Sequence, residues 1–155
     1  MAKANSVKDE DRTSGDDNIM SIPGAADSID QPTFEQILEM DDDEDERDFS
    51  KSIVYDFFSQ AETTFDNMDK ALEKSDLKDL SELGHFLKGS SATLGLTKVK
   101  DSCEKIQNFG QLKDEAGTKD ITKEEAQKKL GAIIKQAKEE FDEVEKVLKK
   151  FYKDP

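Results

Sequence analysis

The sequence predicts an all-α fold, an antiparallel four-helix bundle with one short helix ahead of it. Three observations point there. Apolar residues recur with a 3.6-residue period over four stretches, no stretch alternates with the two-residue period of a strand, and the chain holds only three Pro and no Trp. Hydrophobic residues make up 34% of the chain against 39% charged, so each helix keeps a broad solvated face; 155 residues are enough for one core.

Residues 1–31 mix Ser, Asp, Gly, Asn and Lys without periodicity, so they are expected to form a disordered acidic tail, with the folded domain over 32–155. Pro32 precedes TFEQILEM, in which Phe34, Ile37 and Leu38 recur at helical spacing and mark a short first helix. DDDEDERD, residues 41–48, reads as a solvated linker. From Asp48 onward Val54, Phe57, Phe58, Ala61, Phe65, Met68 and Leu72 line one face of a long helix. Lys74, Ser75 and Asp76 interrupt it, and Ser75 or Asp76 caps the next helix, whose stripe is Leu80, Leu83, Leu87, Ser91 and Leu94. Beyond Gly95 a third helix turns Val99, Cys103 and Ile106 inward and stops near Phe109 and Gly110. GQLKDEAGTKD is a polar connection. From Thr122 the longest helix repeats through Ala126, Leu130, Ile133, Ile134, Ala137, Phe141, Val144, Leu148 and Phe151.

A net charge of −14 repels phosphate backbones and anionic lipid, which argues against nucleic acid and membrane partners. One cysteine cannot form an internal disulfide, and MAKANSVKDEDRTSGDD offers no apolar signal-peptide region, so an intracellular protein is expected. Nothing suggests an obligate oligomer, and a monomer is expected. No phosphate-binding glycine loop occurs, which leaves no basis for binding ATP. Asp41, Asp43 and Asp45 alternate as in a calcium loop, but Glu46 and Ser52 stand where such a loop needs Gly and Glu. Neither a metal nor a cofactor of its own is therefore expected.

His85 is the single histidine. At about 100° per residue it projects roughly opposite the Leu80–Leu94 stripe and faces solvent, with Ser81, Lys88, Gly89 and Ala92 on its side of the helix. A neutral imidazole can attack phosphorus directly. Gly89 removes the side chain that would crowd the ring one turn on, and Lys88 can reach phosphoryl oxygens as a mobile cation. A mid-helix glycine costs about 1 kcal/mol, and this helix carries two, Gly84 and Gly89, around its histidine.

HFLKGSSATLG, His85–Gly95, resembles the phosphorylation motif of histidine-containing phosphotransfer (HPt) proteins: H, any residue, an apolar residue, K, G, S, a small residue. The likeness extends through LTKVKDSCEKIQNFG and upstream to SQAETTFDNMDKAL and EMDDDEDERDFSKS, which look like fungal members, and covers about residues 33 to 153. It implies a phosphorelay intermediate of cytoplasm and nucleus, with His85 accepting a phosphoryl group from the receiver domain of a hybrid histidine kinase and passing it to response regulators. It also implies Mg²⁺ supplied by the partner receiver, and a carrier more than an enzyme. By carry-over Lys88 and Gly89 support His85, and Gln60, Ser90 and Gln107 lie close to it. Gln111 stands where fungal relatives often have a basic residue, with Lys113 beyond.

Phe49, Ile53 and Gln60 project about 100 to 140° from the core stripe of their helix. With Ile37 and Met40 of the short helix, Phe49 and Ile53 could form an apolar patch on which a receiver docks; the alternative is that the short helix buries them. Two rival functions remain open from the residues alone. One is a phosphate-independent binding module in which His85 is incidental, and the other, weaker, is a hydrolytic or acid–base enzyme using His85 with a carboxylate.

Overall fold

The computed structural model describes residues 22, 25–41 and 47–152. Among them the order is α1 (Ala25–Ser28), α2 (Gln31–Leu38), α3 (Asp48–Glu73), α4 (Leu77–Leu94), α5 (Thr97–Gly110) and α6 (Lys123–Phe151), with two isolated β-bridges and no strand. The four long helices are those predicted, and no described helix is long and apolar enough to cross a membrane.

Local chemistry sets the boundaries. After α3 the chain turns through Ser75 at φ 58°, and the Asp76 carboxylate accepts from the Asp79 N–H at 3.1 Å to cap α4. α4 ends at Gly95 in the left-handed region, φ 75°, where the Leu96 N–H donates to Ser91 O and the Gly95 N–H to Ala92 O. Thr122 caps α6 by accepting from the Glu125 N–H at 3.2 Å. The cap of α3 comes from nine residues back: Asp41 accepts from the Ser50 N–H at 2.8 Å and from its hydroxyl at 2.7 Å, and Tyr152 donates to the same Ser50 oxygen at 2.9 Å. Asp41, the first residue of the acidic block, is thus a structural cap rather than solvated linker; residues 42–46 lie outside the described ones.

The core is assembled from the predicted stripes. Phe57, Phe58 and Phe65 of α3 surround Phe141 of α6 at centroid distances of 5.9, 5.9 and 5.8 Å, mostly edge-on or tilted. Leu80, Leu87 and Leu94 of α4 face Val99, Cys103 and Ile106 of α5, all buried. α4 and α5 approach unusually closely. A Cβ on Gly84 would stand 2.9 Å from Cys103 O and Gln107 N, and one on Gly110 would stand 2.7 Å from Leu77 O and Ser81 N. Each helix supplies one glycine at which the other's backbone lies in contact.

The expected boundary between tail and domain at residue 31/32 is corrected. Ala25 and Ile29 are buried, Ile29 bridges Leu96, and the Asp30 N–H donates to Gly95 O at 2.7 Å. These few apolar residues carry no periodicity, yet the corner between α4 and α5 offers them a surface to bury against. Phe34 of α2 continues the cover, edge-on to Phe151 at 5.7 Å. Residues 1–21, 23 and 24 of the expected tail lie outside the described ones.

Candidate functional site

The α4 stripe decides where His85 points. Leu80, Gly84, Leu87, Ser91 and Leu94 are buried, which leaves His85, Phe86, Gly89, Ala92 and Thr93 exposed on the outer face. A Cβ built on Gly89 would meet nothing within 4 Å among the described residues. The two glycines of this helix therefore differ in purpose: Gly84 admits the α5 backbone, whereas Gly89 leaves open space one turn beyond the imidazole.

Lys88 is half-buried on the α5 side, with its Nζ 3.7 Å from the Glu104 carboxylate. Gln107, also half-buried, presents its backbone to Gly84, the residue before His85. On the other flank Gln60 of α3 lines two neighbouring grooves against α4. One is shared with Ile53, Asp56, Ser90 and Thr93, the other with Thr63, Asn67, Leu83 and Phe86. The Thr93 hydroxyl donates to Gly89 O at 3.1 Å and ties down that turn. Gln60 and Ser90 thus share a groove beside the exposed face that carries His85, and Lys88 lies on the α5 side of the same helix. Among the described residues no three His, Cys, Asp or Glu converge to hold a metal ion.

Three expectations change. Ser81, projected beside His85, is 8% exposed and packs against Gly110, because the close approach of α5 extends the buried face of α4 by one column. Ile37, assigned to a docking patch, is 6% exposed: α2 lies on the bundle end and turns Ile37 inward with Phe34. Ile53 is partly buried and packs on the core while also lining the groove of Gln60. Met40 and Phe49 are 60% and 49% exposed. The sequence reading missed Phe86, 50% exposed beside His85, although an apolar residue off the stripe of its own helix was a visible signal. Lys113 is paired with Asp120 across the α5–α6 connection.

Cys103 sits on the far side of α4 from His85's open face. Burial, with Glu140 nearby, pushes its thiol from 9.0 up to about 12, so it is inert at neutral pH.

The family model described as Hpt domain matches residues 52–147. Over 97 residues the chain is 60% identical to multistep phosphorelay regulator 1 of Schizosaccharomyces pombe, covering 63% of this chain and 32% of that protein. It is 54% identical over 82 residues to phosphorelay intermediate protein YPD1 of Candida albicans, covering 53% and 44%. The chain thus spans less than half the length of these curated relatives. Among solved structures it resembles the yeast phosphorelay protein YPD1 with a TM-score of 0.69 at 30% identity, covering 81% of this chain and 94% of that one. A co-crystal of Saccharomyces cerevisiae Ypd1 with the receiver domain of its downstream response regulator Ssk1 gives 0.70 at 33% identity over the same shares.

Proposed function

The chain belongs to the Hpt domain family, and from that premise we propose that it is a histidine phosphotransfer intermediate of a multistep phosphorelay. His85 accepts a phosphoryl group from the receiver aspartate of a hybrid sensor histidine kinase and delivers it to the receiver aspartate of a response regulator. The observation that carries this reading is the pairing of an exposed imidazole with the empty space over Gly89.

An unprotonated ring nitrogen of His85 attacks phosphorus; the N–P bond forms as the aspartyl P–O bond breaks, the electron pair leaves with the carboxylate, and the other ring nitrogen keeps its proton. The step reverses onto the second receiver. Phosphoryl transfer has a loose transition state, so positioning and charge neutralisation dominate. Lys88 supplies the cation, and Gln60, Ser90 and Gln107 supply donors at the rim. Mg²⁺, held in the receiver's acidic pocket, would supply neutralisation of phosphoryl charge. The protein acts as a carrier that takes phosphate already activated. The receiver docks over Phe86 and the groove of Gln60 and Ile53, with Phe49 and Met40 extending the apolar surface. The relative crystallised with a receiver domain supports such a partner.

The test is phosphotransfer from a labelled hybrid-kinase receiver with Mg²⁺, comparing the unmodified protein with His85→Gln. Acid-labile, alkali-stable label on the unmodified protein alone is expected. Binding of several active receivers by both proteins, with label on neither, replaces the carrier by a binding module.

A further inference from the structure

Lys88, the cation nearest the histidine in its helix, is already engaged, because Glu104 of α5 holds its Nζ at 3.7 Å. The pair is placed by backbone packing. Gly84 brings the α5 backbone at Cys103 and Gln107, on either side of Glu104, against α4 directly before His85. Lys105, the neighbour of Glu104, is taken by Glu115 at 2.7 Å. Glu104 is 56% exposed and Lys88 29%, so their attraction is weak and easily exchanged.

Resting on the phosphotransfer reading, we propose that Glu104 is a positioning residue that parks Lys88 in the unphosphorylated protein and competes with the phosphoryl group for it. A phosphoryl group carries about −1.5 to −2 against −1 for the carboxylate, so Lys88 moves to the phosphohistidine when it forms. Glu104 is then left without its cation, in a chain whose net charge is already −14. The competition raises the phosphorylated state relative to the resting one and returns that difference on onward transfer. Glu104 thereby sets how readily the phosphoryl group leaves, without touching it.

The experiment measures phosphohistidine lifetime and the transfer equilibrium with one receiver for the unmodified protein, Glu104→Gln, Lys88→Ala and the double variant, at low and at high salt. Glu104→Gln is expected to lengthen the lifetime and shift the equilibrium toward this protein by about two- to fivefold, the range of an exposed ion pair. That gain vanishes in the Lys88→Ala background, since nothing remains to compete for, and shrinks at high salt. A role of Glu104 in folding alone would move neither the coupling nor the salt dependence. An unchanged lifetime in Glu104→Gln, or an equal gain with Lys88 absent, overturns the inference and leaves the carrier reading standing. An unmodified protein that takes no label overturns both.

Discussion

Replacing Gly84 and Gly89 in turn by Ala should have different effects on stability, although both lie in α4 five residues apart. Alanine is favoured over glycine by about 1 kcal/mol in a helix interior. At Gly89 the new methyl meets no atom of the described residues within 4 Å, and Gly89→Ala should stabilise the protein by about 1 kcal/mol. At Gly84 the methyl arrives 2.9 Å from Cys103 O and Gln107 N, both rigid backbone, where ordinary contact begins at 3.4 Å, so α5 must retreat by 3.4 − 2.9 = 0.5 Å. Overpacking of this kind costs about 1–3 kcal/mol, which leaves Gly84→Ala neutral to about 2 kcal/mol destabilised. Urea unfolding read as midpoint at unchanged slope measures both. Equal shifts, or a loss of stability in Gly89→Ala, would refute the division between a packing glycine and an open one. The same open space predicts that Gly89→Gln stays folded yet slows phosphotransfer by at least about tenfold, because the amide side chain would stand where the proposed transfer brings phosphoryl group and receiver together. A folded Gly89→Gln that transfers at full speed would remove that account.

Two further outcomes are expected. The Ser91 hydroxyl is fully buried without a hydrogen-bond partner among the described residues; Ser91→Ala should stabilise by about 1 kcal/mol in the same unfolding assay, and destabilisation would show that the hydroxyl is satisfied. Burial also raises Cys103 from 9.0 and Tyr152 from 10.0, each to about 12. The unfolded chain therefore ionises first: the stabilisation is complete below pH 9 and is lost as pH rises toward 12. Unfolding followed over that range should show the decline, with a smaller slope in Cys103→Ala; a flat profile would contradict the burial of both groups.

The helices and their ends were legible because they depend on neighbours in sequence. The stripe from Leu80 to Leu94 fixed which side of α4 is dry, and with it the outward direction of His85, by the 3.6-residue repeat alone. Asp76, Gly95 and Thr122 announced their turns through side-chain and backbone chemistry that acts within a few residues. What the repeat could not give was the identity of the surface opposite. Gly84 and Gly89 look alike as letters, and only the position of α5 makes one a contact and the other a void.

The same limit explains the residues expected to dock a partner. Ile37 lies inside because α2 folds across the bundle end, and Phe86 lies outside because no described helix covers that side of α4. Ala25 and Ile29 have too few apolar neighbours in sequence to suggest burial, and the Lys88–Glu104 pair joins residues on separate helices. By itself, the sequence determined the helices, their caps and the direction of the one histidine, since each follows from contacts within about four residues. The tertiary structure alone decided the spacing of α4 and α5, the open volume beside His85 and the partner of Lys88, because packing between helices is set by side chains far apart along the chain.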